Sequence, residues 1–185
     1  MAFLETPPTR RFPWYVRLIL RLQRRRYGRE LEPSRLWGRV PRAFLAMSLM
    51  YGVLDRRSSP IDAALRSLVQ VRVSQINGCA FCVDVNSASG LARGAGERKL
   101  MELARFEQSS AFSERDRAAL RYAEAVTDSA RRPDAALIAG LREHFDDDAI
   151  VELTALIAYQ NMSSKFNAAL GVPAQGFCAL AGPGH

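Results

Sequence analysis

No stretch of this 185-residue chain approaches the roughly 18 to 20 consecutive apolar residues of a membrane-spanning helix. The apolar run near the start, WYVRLIL, is cut by Arg17 and is followed by no small-residue cleavage site, so a secretory leader is not expected. Cysteine is scarce, with three residues, and histidine scarcer, with two. That is too little for the disulfide framework of a small secreted domain. A structural zinc site needs four ligands, and Cys178, His144 and His185 show no paired spacing that would complete one. Strand alternation, hairpin turn signals and short repeats are also missing. These absences leave a helical protein of a reducing, cytoplasmic compartment, with no resident metal or organic cofactor implied.

What is present is globular. Hydrophobic residues make up 48% and charged residues 24% of a chain long enough to bury a core. The net charge of +7 is localised: residues 1–42 hold 11 arginines against Glu5, Glu30 and Glu32, and the remainder is slightly acidic. Residues 1–40 therefore read as a basic N-terminal arm on a domain of residues 41–185. From Trp14 to about Tyr27, Tyr15, Leu18, Ile19 and Leu22 recur at helical spacing among arginines, and Gly28 ends the pattern. The favoured reading packs this amphipathic helix on the body or on a neighbouring subunit; an anionic membrane surface is the lesser expectation. No nucleic-acid-binding module accompanies the charge, so nucleic acid is not an expected partner.

The body reads as helices throughout. Pro41–Leu54 is strongly apolar and is expected to be buried. Ser59-Pro60-Ile61-Asp62 has the form of a helix start, with Ser59 as N-cap and Pro60 in the first turn. That helix runs to about Ile76 and closes at Asn77-Gly78. A second extends from about Gly78 to Leu91, and a short one from about Glu97 to Arg105. Ser113-Glu114-Arg115-Asp116 forms a capping box opening a helix to about Asp128. Pro133-Asp134 starts another through His144, and the acid run Asp146–Asp148 opens a last long helix to about Leu170, stopped by Gly171 and Pro173. The expected fold is all-α, with about seven or eight helices and a coil tail.

The chemistry concentrates in Val71–Asn86, VRVSQINGCAFCVDVN. Asn77-Gly78 ends one helix, which places Cys79 and Cys82 on the first turn of the next. Unsatisfied N–H groups and the macrodipole there favour an anion such as a thiolate. A C-x-x-C also lets two sulfurs close a disulfide within one turn, so the pair can cycle between dithiol and disulfide. Ser74, Gln75, Asn77, Tyr159, Gln160 and Asn161 are candidates to line such a site with hydrogen-bonding groups. Asp84, two residues from Cys82, falls on nearly the opposite side of the helix. His144 reads as structural, next to a helix C-terminus.

Leu68–Asn86 resembles the signature of the alkylhydroperoxidase D-like branch of the carboxymuconolactone decarboxylase superfamily. The likeness continues through Phe112–Ala130 (FSERDRAALRYAEAVTDSA) and Val151–Pro173 (VELTALIAYQNMSSKFNAALGVP), covering about residues 41–178. The resemblance implies an all-α bundle, homo-oligomers such as trimers or hexamers, and an antioxidant peroxidase cycle acting on hydroperoxides or disulfides. It also implies the roles: Cys82 attacks the peroxide and becomes a sulfenic acid, Cys79 donates a proton and resolves it to a disulfide, and a thiol reductant protein reopens the bond. Helix-terminus reasoning alone favours Cys79 as the more acidic thiol. The chain departs from the family at the proton relay, with Asn86 four residues after Cys82 and Ser67 twelve before Cys79 in place of histidine and glutamate. Neither replacement is a base near neutral pH. Two alternatives follow: a non-catalytic redox-sensing or scaffolding homologue whose arm binds a partner, and a lactone decarboxylase, a branch that generally lacks the C-x-x-C.

Overall fold

The computed structural model describes residues 2–180, which leaves the last five positions of the tail, His185 among them, outside the described residues. Among the described residues there are nine α-helices and no strand: α1 Trp14–Tyr27, α2 Glu32–Trp37, α3 Pro41–Leu54, α4 Ala63–Ile76, α5 Ala80–Ala92, α6 Glu97–Glu102, α7 Glu114–Thr127, α8 Ala135–Arg142 and α9 Asp147–Ala169. None of these is long and apolar enough to cross a membrane. The helix not foreseen is α2, six residues with Pro33 in its first turn, too short to carry a periodic pattern.

The centre of the fold is α4. Leu65, Leu68, Val69, Val71 and Val73 are all buried, as are Arg66, Ser67, Gln70 and Ser74 between them. A helix buried on every side must find partners for its polar side chains. Arg66 pairs with Asp55 at 3.5 Å and donates to the carbonyl of Ile61. Gln70 donates to Gln160 Oε1 at 3.4 Å. α4 packs most extensively on α5, then on α7 and α9, whose Leu120, Ala123, Leu153 and Ile157 complete the main core. Gly78 makes the α4–α5 reversal with φ +63°, a left-handed turn that only glycine adopts readily.

Cap chemistry sets the helix starts. The capping box expected at Ser113 is present: Ser113 Oγ accepts from Asp116 N at 3.2 Å and Asp116 Oδ2 accepts from Ser113 N at 3.0 Å. Lys99 Nζ adds a third donor at 2.7 Å. Burial pushes the Asp116 carboxyl up, but Lys99 and the two Ser113 groups outweigh it and hold it below the usual range. A depressed carboxyl stabilises the fold above its unfolded value near 3.8, and that contribution is lost as the pH falls through the folded value. Ser113→Ala is expected to cost about 1 kcal/mol in a urea melt at pH 7, and the difference between variant and wild type should narrow in melts below about pH 4.

Two expectations are corrected. The N-cap of α4 is Asp62, whose Oδ1 accepts from Leu65 N at 2.8 Å, and not Ser59. Ser59 Oγ instead donates to Glu152 on α9, so a tertiary partner claims the hydroxyl and the carboxylate takes over the cap. The second concerns α3, which is not a buried helix: Leu49, Met50 and Val53 are exposed and only Phe44 and Leu54 are buried. It lies at the surface, with α1, α2 and α9 against its inner side.

The basic arm is folded onto the body. Val16 and Leu20 of α1 are buried with Phe12 and Phe44, as the amphipathic pattern demands. Trp37 of α2 stacks on Phe166 of α9, ring centroids 4.0 Å apart, and Phe3 N donates to the carbonyl of Leu170 at 2.9 Å.

Candidate functional site

Cys79 is the N-cap of α5: its sulfur accepts from the Cys82 N–H at 3.2 Å, the helix-start interaction expected of a thiolate-stabilising position. Cys79 and Cys82 are joined as a disulfide with Cα atoms 5.3 Å apart. Both are buried, yet they differ in what they face. Cys82 lines a cavity of about 490 Å³, and Cys79 lies behind it.

The cavity is walled from both parts of the chain. α5 contributes Phe81, Cys82, Val85 and Asn86, and α9 contributes Tyr159, Gln160, Ser163 and Asn167. The opposite wall comes from residues before position 55: Ile19, Leu22 and Tyr27 of α1, Trp37 of α2, and Leu45, Leu49 and Tyr51 of α3. Its surface is predominantly apolar and aromatic. Arg26 stands at its rim as the single formally charged lining side chain among the described residues, and no carboxylate or imidazole lines it. Burial pushes the Tyr51 and Tyr159 hydroxyls well above the usual phenol range, so both remain neutral donors at physiological pH.

Of the two relay positions, Asn86 lines the cavity beside Cys82 and Ser67 does not. The Ser67 hydroxyl donates to the carbonyl of Ala63 at 3.1 Å and accepts from Arg93 at 3.3 Å, and Arg93 pairs with Asp55 at 2.6 Å. A glutamate at position 67 would therefore meet an arginine already committed to a carboxylate.

The remaining candidates divide. Tyr159 and Gln160 line the cavity, and Ser74 supports Gln160 from behind, accepting from its Nε2 at 2.9 Å. Gln75 points elsewhere and accepts from Arg72 at 3.1 Å. Asn77 ties the α4 end to α9, donating to Asn161 and Ser164 at 2.9 and 2.8 Å. His144 follows α8 and does not line the cavity. Asp84, fully buried on the far side of α5, accepts from the backbone N–H groups of Gln175, Phe177 and Cys178, each at 2.8 Å. Cys178 is a buried free thiol in that segment. Among the described residues no group of three His, Cys, Asp or Glu side chains is placed to hold a metal ion.

One residue was not foreseen. Asn167, 2% exposed, donates from Nδ2 to Cys82 Sγ at 3.2 Å, and its Oδ1 has no hydrogen-bond partner among the described residues. A signal for it exists in the sequence: Gln160, Ser163 and Asn167 recur at helical spacing as a polar stripe on the otherwise apolar inner face of α9.

Residues 41–125 match the carboxymuconolactone decarboxylase family. The uncharacterized protein YnjA of Escherichia coli K12 is 44% identical over 174 residues, 94% of this chain and 96% of its own length, so the likeness reaches into the first 40 residues. The fold is similar to that of an alkylhydroperoxidase AhpD-core, peroxidase-related protein from Ralstonia eutropha JMP134, with TM-score 0.86 and 20% identity over 95% of this chain and 94% of that one. It is also similar to the debrominase Bmp8, with TM-score 0.78 and 21% identity over 91% of this chain and 88% of that one.

Proposed function

The chain belongs to the carboxymuconolactone decarboxylase family, and from that premise we propose that it is a thiol oxidoreductase of the alkylhydroperoxidase D-like kind. It reduces organic hydroperoxides through Cys82 and Cys79. The observation that carries the proposal is the placement of a disulfide-forming pair with one sulfur, that of Cys82, on the wall of an apolar cavity. A thiolate on Cys82 attacks the hydrogen-bearing oxygen of the hydroperoxide, the O–O bond breaks, and the leaving alkoxide takes a proton from the Cys79 thiol. The products are an alcohol and a Cys82 sulfenic acid. Cys79, now a thiolate, attacks that sulfur and expels hydroxide, which is protonated to water, leaving the disulfide. A thiol reductant protein of the cytoplasm returns the pair to the dithiol.

The walls of the cavity suit a substrate with an apolar body, and among the described residues no carboxylate or imidazole lines it to serve the thiol as a conventional base. A homo-oligomer would bury Met50 and Val53, the large apolar residues of α3 that are exposed and do not line the cavity.

The test is stopped-flow mixing of the fully reduced protein with cumene hydroperoxide, with mass spectrometry of the product. Oxidation at least about tenfold faster than that of a free thiol, ending in a Cys79–Cys82 disulfide, is the expected result. A rate equal to that of a free thiol would sink the peroxidase reading.

A second reading is favoured by the aromatic lining of Trp37, Tyr51, Phe81 and Tyr159, together with the likeness to a debrominase. The same dithiol would reduce a bromoarene, giving the arene, bromide, a proton and the disulfide. Bromide release from a brominated aromatic, measured on the same reduced protein, separates the two.

A further inference from the structure

We propose that Asn167 takes over the work that a basic residue does beside a reactive thiol. Its Nδ2 hydrogen stabilises the Cys82 thiolate, and its Oδ1 receives the O–H of a bulky organic hydroperoxide and aims the O–O bond at the sulfur. The proposal deepens the peroxidase reading and rests on it for the identity of the substrate.

Three observations carry it. Among the described residues the Asn167 amide is the one side chain whose hydrogen bond ends on the Cys82 sulfur, at 3.2 Å, and an N–H donor there favours the anion over the thiol. The same amide is 2% exposed, and its Oδ1 lacks a donor among the described residues. Buried carbonyl oxygens are normally paired, and one that is not, on a residue lining a cavity, is satisfied when a ligand supplies a donor. Third, among the described residues the ionisable groups that share the cavity with Cys82 are Arg26 and Tyr27 from α1, Tyr51 from α3 and Tyr159 from α9, with Cys79 beside it at the start of its own helix. Among the described residues no carboxylate or imidazole stands with them, so hydrogen bonding, not proton abstraction, is what the facing helices offer the thiol.

A hydroperoxide fits the amide because it carries one O–H, on the oxygen that the thiolate attacks. Oδ1 accepts from that O–H before the reaction. The hydrogen stays on the transferred oxygen as it becomes the sulfenic acid, so the same contact persists after the O–O bond has broken.

The experiment uses the reduced full-length protein, wild type and with Asn167→Leu or Asn167→Asp, and reads two quantities. The first is the pH dependence of Cys82 alkylation by iodoacetamide, located by mass spectrometry. Both substitutions should raise its midpoint by about 1–2 pH units, Asp the more because its carboxylate also repels the thiolate. The second is the cumene hydroperoxide rate measured above each variant's midpoint, where the thiolate is complete. There Asn167→Leu should remain about tenfold slower than wild type, having lost the acceptor. An unchanged alkylation midpoint in both variants overturns the proposal, and a shifted midpoint with an unchanged rate at full ionisation overturns the substrate contact. If Asn167→Leu fails to fold, the near-isosteric Asp variant decides the first readout. Alkylation needs no peroxide chemistry, so a wild-type rate equal to that of a free thiol defeats the peroxidase reading without touching the assignment of Asn167 to Cys82.

Discussion

Replacing Cys82 by serine is expected to reduce hydroperoxide-driven oxidation at least about 10²-fold, to the level of a control without enzyme, because no other thiol lines the cavity among the described residues. Cys79→Ser should behave differently. Its Cys82 still meets the peroxide, but the sulfenic acid has no partner one helical turn away and accumulates, to be trapped by dimedone and found by mass spectrometry on Cys82. The two cysteines compete for the role on opposite physical grounds. Cys79 holds the helix N-cap and accepts the Cys82 N–H at 3.2 Å, which favours its ionisation. Cys82 holds access to the cavity and the Asn167 N–H at 3.2 Å. Cys79 does not line the cavity and stands behind Cys82, where it can pass a proton to the departing alkoxide but is not placed to attack the peroxide first, so access decides. Dimedone adduct on Cys79 in a Cys82→Ser variant, at the wild-type rate, would reverse the assignment.

How much of this was legible in the sequence depends on the range of the interaction. Signals written within a few residues were readable. Asn77-Gly78 marked the α4–α5 turn, Ser113 and Asp116 the capping box of α7, and the acid run the start of α9. The all-α class and the cysteine pair followed from such local patterns. Where a local rule failed, a distant partner had intervened. Ser59 had the chemistry of an N-cap but was taken by Glu152, 93 residues away. The apolar pattern of α3 read as burial because hydrophobicity carries no information about which face a neighbour covers; its outer strip stays exposed. The cavity was the least legible feature, since its walls come from α1, α2, α3, α5 and α9 and no short window contains them. Composition split the basic arm from the body, whereas packing makes that arm one wall of the space in front of Cys82. Ser67 shows the converse. The resemblance put it where the family has the relay glutamate, as a substitution, and no local signal told that its hydroxyl would be held by Ala63 and Arg93.

Asp84 is where the largest loss of stability is expected. Its carboxylate is fully buried and receives three backbone donors, with Oδ1 accepting from Phe177 and Cys178 and Oδ2 from Gln175, each at 2.8 Å. Asp84→Ala removes every acceptor at once, and the segment either keeps three unpaired N–H groups or detaches into water. With charged hydrogen bonds contributing about 1.5–3 kcal/mol each, and with part of that recovered by solvating the freed segment, the expected cost is about 3–5 kcal/mol. Asp84→Asn should cost less, because its carbonyl can keep the Phe177 and Cys178 donors while only Gln175 meets a second donor. The consequence reaches the cavity by a traceable route. Gln175 Oε1 accepts from Glu32 N at 3.0 Å, its carbonyl accepts from Arg29 at 2.8 Å, and Phe177 lies edge-on to both Tyr27 and Phe81. Through these contacts the tail holds the start of α2, and with it Leu31, Pro33 and Ser34 on the cavity wall. Urea melts should rank wild type above Asp84→Asn above Asp84→Ala. Hydrogen exchange should speed up in residues 172–178 and 29–37 together in Asp84→Ala. Faster exchange in 172–178 alone would mean that the tail does not brace the wall, and the alkylation rate of Cys82 would then be the same in variant and wild type.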